Sequence, residues 1–323
     1  MVVKEACVAK KDEDKNNMDR RGFLQCMAWV GTGAVWTMSS GVLKGLPLEL
    51  AGPKGMAHAD SGGLQFVQIS DSHIGFDKPA NTDVTATLRA AIAKIKAAPQ
   101  PPSFVLHTGD LTHLSKPAEF DTLQQVLSDL SMPVFYVPGE HDVLEDDGTS
   151  YRQRFGKGTQ GAGWHSFDQQ GVHFVGLVNV VNLKAGGLGN LGAAQLAWLE
   201  KDVKSLPAST PIVVMAHVPL WIVYQDWGWG TADGAQALTY LKRFGSVTVL
   251  NGHIHQVMQK VEGHVAFHTA RSTAFPQGVP GVAQGPGPMA VPPGELRNYL
   301  GTAQVSLVTA TAPLAIVDTP LAG

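Results

Sequence analysis

Five short polar clusters, each placed just after an apolar run, carry the residue types that could do chemistry in this chain. They are Asp71-Ser72-His73, Gly109-Asp110, Gly139-Glu140-His141-Asp142, the single His217 and Gly252-His253-Ile254-His255. Carboxylate oxygens and imidazole nitrogens without sulfur suit manganese, iron, zinc and similar cations. A single histidine of this kind is ordinarily a buried, hydrogen-bonded residue. The ordered set of clusters instead predicts a metal centre.

The D-x-H and H-x-H pairs add a geometric expectation. Side chains of an extended segment alternate between its two faces, so residues two apart lie on the same side. We therefore expect Asp71 with His73, and His253 with His255, to hold one cation each. Neighbouring glycines let the backbone approach closely at a tight turn.

Short apolar runs alternate with amphipathic helices from residue 64 onward. Strands are predicted at residues 66–69, 104–106, 134–137, 173–178, 212–215 and 247–250, with a last pair at 305–308 and 314–317. Helices are predicted by apolar stripes over residues 88–95, 117–130 and 196–206. The second half otherwise favours β-hairpins, and residues 275–293 form a Gly- and Pro-rich loop. The polar clusters follow the strands, at the ends where α/β folds build their sites.

The ordered clusters resemble the calcineurin-like metallophosphoesterase superfamily over about residues 64–270. The segment 191–200 is also similar to a helix start of its cyclic-nucleotide phosphodiesterase branch. The resemblance implies an α/β fold, a four-layer α/β/β/α sandwich of two mixed β-sheets. It further implies a hydrolase in which two divalent cations (manganese, iron or zinc) activate a hydroxide that attacks phosphorus in line.

The resemblance also implies a role for each polar side chain. The implied metal ligands are Asp71, His73 and His255 for one cation, Glu140, His217 and His253 for the other, and Asp110 as the bridge between them. The implied catalytic residues are His141, which would protonate or stabilise the leaving oxygen, and Asp142, which would orient His141.

Position 140 departs from the family pattern, which has Asn where this chain has Glu140. A carboxylate can still bind a cation through oxygen, but it makes the site less positive. We therefore predict hydrolysis of phosphodiesters, which carry one negative charge, in preference to dianionic monoesters. A Glu140 that turns away would instead leave the second metal site weak or empty. The alternative functions are a phosphomonoesterase with the same site and a non-catalytic metal-binding protein on this scaffold.

The first 59 residues resemble a twin-arginine export signal, which leaves residues 60–323 as the catalytic domain. Arg20 and Arg21 precede an uncharged run over 22–43, and Ala57-His58-Ala59 is a small-residue cleavage signal. We expect a periplasmic or otherwise exported protein that passes through the twin-arginine machinery and keeps no membrane span after cleavage. Because the run is just long enough to span a bilayer, a permanent anchor over 22–43 is the alternative.

Composition narrows the class of protein further. Apolar residues make up 44% of the chain and charged residues 16%, which excludes a disordered chain. A formal charge of −3 gives no basic field for nucleic acid, so the expected partner is a small phosphoester substrate. Both cysteines, Cys7 and Cys26, precede the clusters, so cysteine takes no part in the predicted site.

Weaker signals remain outside this set. Residues 187–192 match G-x-G-x-x-G, which a glycine turn before a helix explains better than a dinucleotide site. His113 is either a partner of a metal ligand or a surface residue. We expect Arg271 to form a structural salt bridge, with a contact to a substrate phosphate as the alternative. Four aromatic residues after His217 fit either a wall of the substrate pocket or a hydrophobic cluster under a loop: Trp221, Tyr224, Trp227 and Trp229.

Overall fold

The computed structural model describes residues 34–39, 42–47, 63–181, 183–184, 186–308 and 314–322. The chain divides into two compact units, residues 1–62 and 63–323. In the first unit, strands β1 (Ala34–Ser39) and β2 (Val42–Pro47) pair antiparallel. The arginine pair and the cleavage signal of the predicted export segment lie outside the described residues. None of the described helices is long and apolar enough to cross a membrane.

The second unit contains a five-stranded mixed sheet. Its strands are β3 (Gln65–Ile69), β4 (Val105–His107), β5 (Val134–Tyr136), β12 (Gly301–Ser306) and β13 (Ala315–Pro320). They are ordered β13-β12-β3-β4-β5. Strands β3, β4 and β5 run parallel, while β12 is antiparallel to both of its neighbours.

A six-stranded mixed sheet completes the β-structure of this unit. Its strands are β6 (His165–Gln169), β7 (Val172–Gly176), β8 (Ile212–Met215), β9 (Val247–Asn251), β10 (Gln259–Glu262) and β11 (Val265–Thr269). They are ordered β10-β11-β9-β8-β7-β6. The four inner strands are parallel, and an antiparallel hairpin strand closes each edge.

In the described part of the chain, six α-helices connect or flank the strands. They are α1 (Val84–Lys96), α2 (Pro117–Leu127), α3 (Thr149–Phe155), α4 (Ala193–Val203), α5 (Gly234–Leu241) and α6 (Leu296–Tyr299). The Asp83 carboxylate accepts a hydrogen bond from Ala86 N–H and caps α1. Pro117 begins α2, where its missing N–H costs nothing.

Alternating side chains divide the core into three layers of packing. On β3, Phe66 packs between the sheets while Val67 and Ile69 pack toward α1 and α2. On β8, Val213 packs between the sheets while Val214 packs toward α4 and α5. Because strand residues alternate between faces, each sheet is buried on both sides. The result is helices, sheet, sheet and helices in succession, which confirms the predicted four-layer sandwich.

Several details differ from the sequence-based expectation. The apolar stripes continue past the helices, since α2 ends at Leu127 and α4 at Val203. The second half is not mainly hairpins, because β7, β8, β9 and β11 form a parallel core. The hairpin turn at Glu262-Gly263 and the long loop over 275–293 are confirmed.

The predicted clusters all follow the carboxyl ends of strands. Those strands are β3, β4 and β5 in one sheet and β8 and β9 in the other. Since each group is parallel, its carboxyl ends meet at one edge of its sheet. The fold thereby brings residues far apart in the chain to one place.

Candidate metal centre

The backbone is left-handed at the residues that the sequence marks as ligands. Five of these have a positive φ, between 41° and 71°: Asp71, His73, Asp110, His253 and His255. Non-glycine residues seldom adopt this region, and each instance costs of order 1–3 kcal/mol. The D-x-H and H-x-H segments are therefore not extended, and the expectation from strand alternation had the wrong geometry.

Backbone hydrogen bonds between neighbouring strand ends hold these turns. Asp71 N–H donates to Gly109 O and His73 N–H donates to Asp110 O, both at 2.9 Å, which joins the ends of β3 and β4. His253 N–H donates to Asp71 Oδ1 at 3.0 Å and so connects one sheet to the other. These bonds keep the strained turns in place.

Asp71, His73 and His255 form the first ligand cluster. All three are buried. The Nε2 atoms of His73 and His255 are 3.2 Å apart, and Nε2 of His255 lies 3.3 Å from Asp71 Oδ1. His255 Nδ1 donates to Phe275 O at 2.6 Å, which leaves Nε2 free to bind a cation.

Glu140, His217 and His253 form the second ligand cluster. Glu140 Oε2 lies 2.9 Å from His217 Nε2, and Glu140 Oε1 lies 2.8 Å from His253 Nδ1. Glu140 thus turns into the site and not away from it. His253 and His255 belong to different clusters, so the expectation that the H-x-H pair holds one cation is wrong.

Asp110 lies between the two clusters. Its Oδ2 atom is 3.4 Å from His73 Nε2 in the first cluster and 3.3 Å from His217 Nε2 in the second. A carboxylate in this place can reach both sides, as a bridging ligand must.

The oxygen and nitrogen atoms of the two clusters are better suited to binding cations than to hydrogen bonding with one another. Asp71 Oδ2, Glu140 Oε2, His217 Nε2 and His253 Nδ1 are buried and have no hydrogen-bond partner among the described residues. Glu140 Oε2 and His217 Nε2 lie 2.9 Å apart, a distance at which a protonated imidazole forms an ion pair, but they make no hydrogen bond of good geometry. Unsatisfied buried polar atoms are costly, and a shared cation is the partner that suits oxygen and nitrogen together.

His141 and Asp142 lie on the short 3₁₀ turn Glu140–Asp142 beside both clusters. His141 Nδ1 donates to His113 O at 2.6 Å, so its ring is held by that carbonyl. The buried Asp142 carboxylate accepts from the N–H groups of Gly139, Leu111 and Thr112 at 2.8–3.0 Å. Asp142 therefore fixes the turn that carries His141, and it acts on the backbone.

The comparisons with known proteins agree with this arrangement. The sequence pattern of the calcineurin-like phosphoesterase family matches residues 64–257. The chain belongs to this family. The phosphoesterase is accordingly a hydrolase of phosphoric ester bonds, and its ligand-capable clusters support divalent metals.

Curated relatives of the phosphoesterase include cyclic-nucleotide phosphodiesterases at low identity. A 3′,5′-cyclic-nucleotide phosphodiesterase from Nostoc sp. is 25% identical over 224 residues, which cover 66% of this chain and 79% of the relative. The 3′,5′-cyclic adenosine monophosphate phosphodiesterase CpdA from Escherichia coli K12 is 23% identical over 211 residues, which cover 60% of this chain and 70% of the relative.

Solved structures share the fold. A dimetal phosphatase from Danio rerio matches with a TM-score of 0.58 and 14% identity, covering 80% of this chain and 96% of that one. A purple acid phosphatase from yellow lupin matches with a TM-score of 0.59 and 12% identity, covering 81% of this chain and 52% of that one. At these identities the match concerns the fold alone.

In the phosphoesterase site, neighbouring charged groups shift the pKa values in the direction opposite to the shift caused by burial. Burial raises the pKa of Asp71, but the imidazoles of His255 and His217 outweigh it and bring that pKa to about 2. Burial also raises the pKa of Glu140, while His253 and His217 hold it well below its ordinary value. Burial lowers the pKa of His217, but Asp110 and Glu140 raise it well above its ordinary value. A divalent cation would take the place of such a proton on binding.

Phe275 escapes sequence reasoning, whereas His113 was named with two interpretations and the structure decides between them. The Phe275 ring packs against His73 and His255 with centroids 4.7 and 4.8 Å apart, but nothing in its Gly- and Pro-rich loop signals this. His113 Nδ1 lies 3.5 Å from Nδ1 of His73, which makes His113 a partner of a ligand and not a surface residue.

The weaker sequence signals named above turn out to be structural features outside the two ligand clusters. Trp229 is buried and Trp221 packs on Phe267 with centroids 5.0 Å apart, so a hydrophobic cluster describes these aromatics better than a pocket wall. Asp233 accepts the N–H groups of Leu191 and Gly192, which confirms a structural turn before α4. Arg271 donates to Asn298 O at 2.6 Å, a structural contact, and forms no salt bridge with the described residues, so the predicted salt bridge is wrong.

Proposed function

We propose that this phosphoesterase uses two divalent cations to hydrolyse small phosphodiesters, 3′,5′-cyclic nucleotides among them. The observation that carries the proposal is the pair of ligand clusters that share Asp110, with His141 beside both. Cations held there would supply Lewis-acid activation of the phosphoryl group and a nucleophile at neutral pH.

His141 is suited to the leaving oxygen. Its Nδ1 atom is engaged by His113 O, so Nε2 is the atom that can face a substrate. In the metal-free protein, burial lowers the pKa of His141, but Asp110 and Glu140 raise it above its ordinary value overall. Cations held by these two carboxylates would weaken the rise. An imidazolium at this place can hold a proton at Nε2 and give it to the leaving oxygen. Asp142 is a positioning residue, since it holds the turn that carries His141.

The diester preference is supported by the charge of Glu140. Two divalent cations bring four positive charges, and the carboxylates Asp71, Asp110 and Glu140 return three negative ones. The net charge near +1 would be near +2 with an amide at position 140. Replacing Asn by Glu at this position weakens the attraction of the site for both kinds of substrate. The attraction for a dianionic monoester falls more than that for a monoanionic diester, because it scales with the charge of the substrate.

Cyclic nucleotides enter the proposal through the curated relatives. Those from Nostoc sp. and Escherichia coli K12 are named for hydrolysis of 3′,5′-cyclic nucleotides. A cyclic nucleotide is a monoanionic diester, which agrees with the charge argument. In an exported enzyme it would be a scavenged nutrient and not a messenger.

The test compares bis-p-nitrophenyl phosphate, p-nitrophenyl phosphate and 3′,5′-cyclic AMP with the manganese-loaded protein. We expect diester turnover to exceed monoester turnover and to fall by about 10²–10⁴ in His141→Ala, the range for loss of a general acid. Monoester turnover above diester turnover would assign the site to a phosphomonoesterase. Diester turnover that survives His141→Ala would remove His141 from the reaction.

We propose in addition that residues 1–59 direct export through the twin-arginine route. The support is Arg20-Arg21 ahead of the uncharged run and the Ala57-His58-Ala59 site. Fused to a reporter, residues 1–59 are expected to deliver it to the periplasm with an N-terminus at Asp60, and R20K/R21K is expected to abolish delivery. Delivery by the double variant, or a reporter retaining residues 22–43 in the membrane, would contradict this.

A further inference from the structure

His113 contacts two imidazoles of the site by different groups. Its ring nitrogen Nδ1 lies 3.5 Å from His73 Nδ1, and its backbone oxygen accepts from His141 Nδ1 at 2.6 Å. Its ring also stacks on that of His141, with centroids 5.0 Å apart and planes 15° apart. The sequence alone left His113 between a ligand partner and a surface residue.

The contact with His73 links the protonation of its Nδ1 atom to that of the His113 Nδ1 atom. His73 Nε2 faces the clusters, 3.4 Å from Asp110 Oδ2 and 3.2 Å from His255 Nε2. If Nε2 binds a cation, the proton of His73 must be on Nδ1, which then needs an acceptor. Nδ1 of His113 can be that acceptor when the proton of His113 lies on its own Nε2. A metal-bound histidine more often donates to a carboxylate, a carbonyl or water.

The contact with His141 settles a second orientation. Because Nδ1 of His141 donates to the His113 carbonyl, Nε2 is left as the atom that can meet the leaving oxygen. The stacked His113 ring restricts rotation of the His141 ring on one face. Phe76 meets the His113 ring at 88°, with centroids 5.1 Å apart, and so holds it from another side.

We propose that His113 is a positioning residue that orients a metal ligand, His73, through its ring nitrogen and the leaving-group histidine, His141, through its carbonyl and ring face. This inference rests on the proposed function for the role of His141. For His73 it rests only on the geometry of the ligand cluster. His113 thereby connects the first ligand cluster, through His73, to His141, which would donate a proton to the leaving oxygen.

Three variants of the full-length protein separate the two roles, because all keep the backbone carbonyl. His113→Asn places a polar atom where Nδ1 stood but removes the ring. His113→Phe keeps a ring for stacking but removes the acceptor. His113→Gln removes the ring and places its polar group near the former Nε2. Thermal unfolding without metal establishes that each variant is folded.

The readout for His73 is manganese affinity, measured by competition with a chelator and independent of activity. We expect His113→Gln and His113→Phe to bind manganese at the tighter site about 10- to 100-fold more weakly, as for other partners of metal ligands. His113→Asn is expected to stay within about 3-fold of wild type, since it restores the acceptor. Equal affinity in all four proteins, or an Asn variant as weak as Gln, would overturn the role toward His73.

The readout for His141 is kcat with bis-p-nitrophenyl phosphate at saturating manganese. We expect His113→Phe to keep most of the wild-type kcat, and the Asn and Gln variants to lose severalfold, with KM little changed. Equal kcat in all variants would remove the stacking role. A wild-type protein that binds manganese but hydrolyses no phosphoester would sink the proposed function, while the affinity comparison would still decide the role toward His73.

Discussion

Glu140 decides the charge of the second ligand cluster, and each of its carboxylate oxygens lies close to an imidazole nitrogen. Its two carboxylate oxygens lie 2.9 and 2.8 Å from His217 Nε2 and His253 Nδ1. A neutral side chain there could still ligate but would leave one more positive charge facing the substrate. At the residue scale, the proposed preference for diesters therefore rests on the charge of this carboxylate.

We predict that Glu140→Gln raises monoester turnover relative to diester turnover by about tenfold, or about 1.4 kcal/mol. The reason is that Gln keeps the reach of Glu and removes its charge. The measurement is the ratio of kcat/KM for p-nitrophenyl phosphate and bis-p-nitrophenyl phosphate. Glu140→Asp is the matched control, because it keeps the charge and shortens the side chain. A ratio that moves with Asp but not with Gln would show that reach and not charge sets the preference.

Asp142 acts through the turn between β5 and the site. It receives three backbone N–H groups and the Thr112 hydroxyl in a fully buried place. Burial and the charge of Asp110 raise the pKa of Asp142 to about 7, while those N–H donors oppose the shift. A cation bound by Asp110 would weaken the second of these causes and favour the ionised acceptor.

We predict that Asp142→Asn lowers the free energy of unfolding by about 2 kcal/mol and also lowers kcat. The Asn side chain keeps one acceptor oxygen, but its NH₂ group would face backbone N–H groups that need an acceptor. Chemical denaturation and steady-state kinetics measure the two effects. Thr112→Val removes only one donor and serves as the milder comparison. A stable Asn variant with wild-type kcat would mean that the turn does not depend on this carboxylate.

His173 joins the hairpin β6-β7 to α4 by contacts with two carboxylates. The His173 ring lies 2.9 Å from Asp168 on β6 and 2.9 Å from Asp202 on α4. Burial lowers the pKa of His173, but hydrogen bonds to Asp202 and Asp168 raise it above 6.5 overall. A histidine with a raised pKa stabilises the fold fully below its unfolded pKa, and this stabilisation is lost as pH rises through the folded pKa.

We therefore predict that the metal-free protein loses stability as pH rises above about 6.5, and that His173→Gln loses less over the same range. Thermal unfolding at a series of pH values measures this. Asp202→Asn is expected to reduce the dependence more than Asp168→Asn, because the Asp202 side chain is 17% exposed and that of Asp168 is 75% exposed. Parallel curves for wild type and His173→Gln would contradict the assignment.

Elements and ligands differ in how far the sequence reveals them. Apolar runs and stripes mark β3, β8 and α1 because burial on a fixed period leaves a visible pattern. The ligand set was visible because its residue types are ordered along the chain. The split of His253 from His255 was hidden, because it follows from left-handed backbone that strand periodicity does not describe. Phe275 was hidden too, since its contacts are made by folding of a distant loop.

At the scale of the catalytic unit, residues 63–323, each ligand cluster draws side chains from both sheets. Asp71 and His73 follow a strand of the five-stranded sheet, and His255 follows one of the six-stranded sheet. In the second cluster, Glu140 follows the five-stranded sheet and His217 the other. A bound cation would thus connect the two halves of the sandwich at one edge.

We predict that removing metal lowers Tm by roughly 10 °C relative to protein with manganese at about 1,000 times its Kd, where binding is worth about 4 kcal/mol. Cations would bind the assembled clusters in preference to the unfolded chain, because each cluster combines ligands from distant segments of the chain. They also relieve repulsion among the carboxylates of Asp71, Asp110 and Glu140. Calorimetry with and without chelator measures the shift. Asp110→Asn should reduce it, since both clusters share that carboxylate, whereas the remote His173→Gln should retain it. Equal Tm values for metal-loaded and chelated protein would mean that the cations do not hold the sheets together.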